Sequence, residues 1–341
     1  MSLLEKIGRR SLATLAGALV LGLSGCGGGG SSSSGAAAAP SGFEFAPATQ
    51  AQIAAVAQSI NARDRSARNV SVVHEDTSDG LHTLRIVRHT VNGVDHYGAI
   101  TVPTVRVGAK FPVLVELDGW PDDTPPLDVA QVLRWQRGQP RDAIFVMPSF
   151  RGRAIQFAGR TWKSGGDVCD AFDGAADDAM ALVSALQSIE PLADTSRLMV
   201  RGGSRGGGVA LLLGQRDPRV RVVQAEAAPV DFYRADAAAA YGDTYKCQFF
   251  NGKTAEQSRQ AMIAASALHF PMLPSVSKVY LEHGSADPIV PVLNATEMNK
   301  RLVADGANVE LTIYNGAGHS LGFTPDFLAR RDANFYAFIK P

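Results

Sequence analysis

Cysteine is scarce in this 341-residue chain: three residues, at positions 26, 169 and 247, spaced far apart. No CxxC pair and no HExxH segment occurs, so no zinc site of familiar spacing is offered, and no metal or other cofactor is expected. Charge of one sign never accumulates either. The 33 Lys and Arg balance the 33 Asp and Glu, without a long acidic or basic block. An electrostatic nucleic-acid binder needs a basic face, so that class is excluded. The apolar run near the N-terminus, Leu12 to Leu23, is shorter than the roughly 20 residues of a membrane-spanning helix.

What that run does fit is an export signal. Lys6, Arg9 and Arg10 precede it and small residues follow, the order of a cleaved leader. Leu23-Ser24-Gly25-Cys26 resembles the lipobox of bacterial lipoproteins, which implies lipidation of Cys26 and a leader over residues 1–26. Arg9-Arg10 suits a twin-arginine signal as well as an ordinary basic start. Residues 27–42, GGGGSSSSGAAAAPSG, have nothing to bury and are expected to form a flexible tether reaching roughly 20 Å. Gly27 is not aspartate, so by the same resemblance the outer membrane is favoured. For Cys169 and Cys247 two readings stand in an oxidising compartment: one disulfide, or two buried thiols.

The body, residues 43–341, is expected to be a single domain. TQAQIAAVAQSINA, Thr49 to Ala62, reads as an amphipathic helix, and two alternating runs around Asn92-Gly93 read as a hairpin. Helix and hairpin together occupy residues 43–105. A different rhythm follows. FPVLVELDG, AIFVMPS, RLMVRG, RVVQAEA, SKVYLEHG and VELTIYN are short, nearly continuous apolar runs, as strands covered on both faces should be. Helical stretches such as Asp177 to Ile189 and Leu293 to Asp305 alternate with them. The pattern predicts an α/β fold with a mostly parallel sheet between helices, whose chemistry sits beyond the C-terminal ends of the strands.

One strand–helix junction reads RGGSRGGGVA, Arg201 to Ala210. Gly202-Gly203-Ser204-Arg205-Gly206 matches GxSxG, in which a serine occupies a sharp strand-to-helix turn. A serine hydroxyl needs a base, and the base needs an orienting acid. Asp287, after KVYLEHG, and His319, after VELTIYN, follow in the expected chain order. His283 also ends a strand, but it precedes Asp287 and would leave only Asp305 or Asp326 behind it as acid. Glu282, within the strand, is the weaker acid. His269 reads as a packed or capping residue. His74, His82, His89 and His96 alternate with apolar residues and read as solvated strand faces. Oxyanion donors are expected from the amides of Arg205 and Trp120.

Taken together, FPVLVELDGWP, MPSFRGR, DGAADDAMALVSAL, RGGSRGG, AEAAPVDFY, HGSADPIVP and GAGHSLG resemble the catalytic domain of the prolyl oligopeptidase (S9) family of α/β-hydrolases. Dienelactone hydrolases and acetyl xylan esterases are similar too. The resemblance runs from about Val91 to the C-terminus. It implies an α/β-hydrolase fold with a small cap insertion, over residues 232–273, and Ser204, Asp287 and His319 as nucleophile, acid and base. Arg151, in Ser149-Phe150-Arg151-Gly152, is implied to be structural. Asp118-Gly119-Trp120-Pro121 stands where the family usually has HGGP, and an aspartate there hinders an oxyanion unless it is paired or turned away. About sixty residues separate tether and hydrolase core, too few for the propeller of the family's peptidases.

The expected activity is therefore that of a serine hydrolase on small esters or short peptides, anchored by lipid to the cell envelope. A non-catalytic binding lipoprotein on the same fold is the competing class. Tyr233, Tyr241, Tyr245, Phe249 and Phe250 make the cap aromatic, which suits a substrate pocket and ordinary packing equally.

Overall fold

Thr49 opens the first helix. Its side chain accepts the Gln52 N–H while the Gln52 side chain accepts the Thr49 N–H, a reciprocal cap for α1, Gln50–Asn61. The computed structural model describes residues 46–78, 80–104, 110–119, 126–130, 142–232 and 245–340. The leader, Cys26, the tether, Trp120, Tyr233 and Tyr241 lie outside the described residues.

Strands β1, Arg68–Asp76, β2, His82–Val91, and β3, Val94–Pro103, form an antiparallel meander. Asn92 and Gly93 both have positive φ, 51° and 80°, the turn whose twist matches that of its flanking strands. β1 carries little sequence signal because it is an edge strand with mostly exposed side chains. Next come β4, Phe111–Leu117, β5, Leu127–Asp128, β6, Ile144–Ser149, β7, Ala154–Phe157, and β8, Arg160–Lys163. Then follow α2, Asp173–Ile189, β9, Ala193–Gly203, α3, Arg205–Arg216, and β10, Val220–Glu226. The chain continues through α4, Lys246–Phe249, α5, Ala255–Ala265, β11, Lys278–Gly284, α6, Leu293–Ala304, β12, Val309–Tyr314, and α7, Pro325–Ile339.

Nine strands make the main sheet, in the order β1-β2-β3-β6-β4-β9-β10-β11-β12. The six from β6 to β12 are parallel. On one face α1, α2, α3 and α6 pack on Val113, Val115, Val200, Val223 and Leu281. On the other, α7 sets Phe335 among Leu114, Phe145, Met199 and Val222. The small sheet β5-β7-β8 covers Leu84, Ile86, Ala99 and Met147 on that second face.

This double cover corrects the reading of the hairpin histidines. His82, His89 and His96 are buried, because β3 pairs with β6 and the hairpin becomes part of the sheet interior. His89 and His96 stack 5.8 Å apart. Burial lowers both pKa values, that of His89 to about 4. His74, on the edge strand, rests half-buried against Phe157 and Trp162.

Helix α2 begins four residues before Asp177, because Asp170 Oδ1 accepts the Gly174 N–H at 2.8 Å. Asp177 bonds Arg63 and Arg65, at 2.9 and 2.5 Å. Arg151 reaches Asp170 at 2.6 Å and Asp178 at 2.9 Å, tying the turn after β6 to α2. Cys169 and Cys247 are joined in a disulfide between the segment before α2 and α4. Phe172, Phe232, Tyr245 and Phe249 pack as buried rings, so the described aromatics of this region serve packing. Helix α5 leans on the N-terminal segment, where Arg259 donates to Ala46 O and Pro47 O.

Phe335 is fully buried, 5.5 Å from Phe145, and anchors α7. Phe335→Ala is expected to cost about 3–5 kcal/mol in denaturant unfolding.

Candidate active site

At the end of β9 the chain reverses within one residue. Ser204 has φ 53° and ψ −122°, a conformation costly for a residue with a Cβ, and α3 starts at Arg205. The surrounding glycines are needed for closeness. A Cβ on Gly206 would come within 2.2 Å of Leu117 O, and one on Gly202 within 2.6 Å of the Gly206 carbonyl carbon. The Ser204 N–H donates to Glu226 O at 2.7 Å, binding the turn to the end of β10.

Asp287 and His319 leave the same edge two and three strands away. The Ala286 N–H donates to Ala317 O at 2.9 Å and the Ser285 N–H to Tyr314 O at 3.0 Å, so the two loops are stitched together. His319 Nδ1 lies 2.7 Å from Asp287 Oδ2. A carboxylate accepts, so Nδ1 carries the proton and Nε2 keeps its lone pair for use as a base. Asp287 Oδ1 accepts from the Ile289 and Val290 amides, each at 2.9 Å. Burial pushes the Asp287 carboxyl up. Hydrogen bonds from His283, His319 and the two amides outweigh it and hold the group well below the usual carboxylate range.

His283 has a part that the sequence reading did not assign. Its Nε2 is 2.8 Å from Val290 O and 3.3 Å from Asp287 Oδ2. Val290 O can only accept, so Nε2 is protonated and faces the acid as a donor. The spacing of four between His283 and Asp287 was the available signal. Glu282 is engaged elsewhere, with Tyr314 Oη and Asn334 Nδ2.

Asp118 is paired. Its Oδ2 lies 3.4 Å from Arg205 and 3.9 Å from Arg153, and its side chain is 7% exposed. The Arg205 guanidinium also lies over Phe150. The loop after β4 abuts the serine: a Cβ on Gly119 would meet Gly203 O at 2.3 Å and Ser204 Cβ at 3.5 Å. Arg205, first residue of α3, sits with its amide at a helix N-terminus, where a developing anion is favoured. Trp120, the other expected donor, is outside the described residues. Asp287 and His319 are hydrogen-bonded. Ser204 shares their edge and has no hydrogen bond to His319. No group of three or more His, Cys, Asp or Glu among the described residues is placed to hold a metal ion.

A mostly parallel sheet between helices, with a strained serine between strand and helix and an Asp–His pair beyond later strands, defines an α/β-hydrolase. The chain belongs to the prolyl oligopeptidase family, whose family model matches residues 131–341. That membership puts it in the serine hydrolase class.

In sequence it is 25% identical over 243 residues to dipeptidyl peptidase family member 2 of Caenorhabditis elegans, over 67% of this chain and 27% of that protein. The match thus spans about a quarter of the relative's length. In structure it is similar to acetyl xylan esterase 1 from Thermoanaerobacterium sp., with TM-score 0.61 and 16% identity, covering 85% of this chain and 95% of that one. It is also similar to Pyrococcus horikoshii acylaminoacyl peptidase, with TM-score 0.55, 15% identity, and 76% and 41% of the two chains. Porphyromonas gingivalis dipeptidyl peptidase 4 matches with TM-score 0.56 and 20% identity, over 75% and 35%.

Because the Asp287 pKa is depressed in the fold, ionised Asp287 contributes stability above the unfolded carboxylate range, and this is lost as pH falls through the folded value. Asp287→Asn is therefore expected to lower the melting temperature at pH 6, with the gap to the parent narrowing steadily below pH 4.

Proposed function

We propose that the protein cleaves ester or amide bonds through an acyl-enzyme on Ser204, with His319 as proton shuttle and Asp287 as its orienting acid. The observation that carries this reading is the 2.7 Å Asp287–His319 hydrogen bond at the edge where the strained Ser204 stands. Ser204 Oγ attacks the carbonyl carbon as its proton passes to His319 Nε2. The tetrahedral oxyanion is met by the Arg205 amide and a donor from the Gly119-Trp120 loop. His319 then gives the proton to the departing alkoxide or amine, and water repeats the sequence to free the acid. Substrate binding draws Ser204 and His319 into hydrogen-bond contact, as catalytic contacts often tighten only in the complex.

Esters are the favoured substrates. An alkoxide leaves with less help than an amine, and the similarity covers almost all of an acetyl xylan esterase chain but under half of the peptidase chains. Fluorophosphonate labelling tests the class: parent protein is expected to be labelled on Ser204, and Ser204→Ala to lose both label and hydrolysis, with kcat down by roughly 10⁴ or more. A folded parent that takes no label favours the binding-protein reading. Comparing acyl esters with aminoacyl and prolyl amides decides between substrates, and amide turnover at a similar rate overturns the preference for esters.

The N-terminal segment extends the proposal. Cys26 is the lipid attachment point of an exported, envelope-anchored protein, with the outer membrane favoured. Cys26→Ser is expected to abolish incorporation of labelled fatty acid and release the protein from the membrane fraction.

A further inference from the structure

Glu226 ends β10, the strand between the serine strand and the two strands that carry Asp287 and His319. It is the register partner of Gly203, the residue before Ser204. A Cβ on Gly203 would stand 3.7 Å from Glu226 Oε2, so the glutamate carboxyl lines the space that this glycine leaves empty. Chain geometry then puts that oxygen within roughly 9 Å of Ser204 Cα. Neighbouring acids on this face are engaged: Glu116 with Arg201 at 2.7 Å, and Glu282 with Tyr314 and Asn334. The Glu226 carboxyl makes no hydrogen bond to another described residue.

Its side of the serine matters. The oxyanion loop, Asp118-Gly119, follows β4 on one flank of β9, and β10 forms the other flank, toward β11 and β12. Glu226 therefore stands on the flank of β9 that leads to β11 and β12, the strands before Asp287 and His319. During acyl transfer His319 becomes a cation on that side while the oxyanion forms on the opposite one.

We propose that Glu226 is a positioning residue of this reaction, a second carboxylate whose charge stabilises the His319 imidazolium from the flank opposite the oxyanion loop. The inference rests on the Ser204–His319–Asp287 reading. The titratable groups around Glu226 are Arg201 on β9, Glu116 on β4, Arg331 on α7, Glu282 on β11 and Tyr314 on β12. Burial is the largest influence and pushes the carboxyl up to about 7. Arg201 and Arg331 pull it down, and Glu116 and Glu282 push it further up. The charge is therefore present above neutral pH and withdrawn below it.

The test is Glu226→Gln in the full chain, with kcat/KM for an activated ester measured from pH 5 to 9. Loss of the charge is expected to lower the alkaline plateau roughly tenfold. It also makes the imidazolium easier to deprotonate, shifting the acid limb to lower pH by roughly half a unit or more. Glu226→Asp, which keeps the charge, is expected to hold the parent's limb. A shift equal to glutamine's overturns the proposal.

Stability gives a separate readout. The fold binds more protons than the unfolded chain between the usual carboxylate range and about pH 7, so stability falls as pH rises through that window. Glu226→Gln should thus melt higher than the parent at pH 8 and level with it at pH 5. That melting pattern with an unchanged rate profile overturns the proposal and leaves a merely strained carboxyl. Full hydrolysis by Ser204→Ala overturns the underlying reading instead. An inactive Ser204→Ala beside an unchanged Glu226→Gln profile overturns this inference alone.

Discussion

The contact between Gly206 and the Leu117 carbonyl is the constraint on which the site depends. Only a chain without a side chain at position 206 lets α3 start directly over the end of β4. That approach forces the reversal at Ser204, and the reversal lifts its hydroxyl above the sheet. The cost of the Ser204 conformation is met by a hydrogen bond to Glu226 O and by an apolar helix buried along nearly its whole length.

The Asp–His pair is held by a different means. Asp287 is gripped by two backbone amides and faced by two imidazoles, and its side chain is fully buried. With so many donors it stays ionised and holds the proton of His319 on Nδ1. His283 thus reaches His319 through Asp287. The glycine at the end of β11 serves the same assembly, since a Cβ on Gly284 would strike Ala317 O at 2.3 Å. Rigid strand ends and close-fitting loops carry the geometry, which is where precision is easiest to maintain.

Charge near the serine is sorted by flank. On the β4 side, Asp118, the acidic residue in place of the family's usual oxyanion sequence, is compensated by Arg205 and Arg153. On the β10 side, the Glu226 carboxyl has no hydrogen bond to another described residue. Beside the apolar patch around Phe335, the face beneath α7 carries Glu116, Arg201, Gln224 and Glu282, and the Arg201 guanidinium lies over the Phe335 ring. A polar set of this kind restricts how α7 sits, since each buried polar group needs its partner.

Chain order and local pattern determined a great deal. The six parallel strands, the Asn92-Gly93 turn and the succession Ser204, Asp287, His319 could be read from the residues, because apolar runs, turn chemistry and glycine clusters are local signals. Tertiary structure alone decided the burial of His82, His89 and His96, the pairing of Asp118 and the charged surroundings of Glu226. Each of these depends on which strands become neighbours and in what register, and β6 slips between β3 and β4 against the order of the chain. Alternation along one strand tells which residues share a face. What covers that face is set by segments far away in sequence.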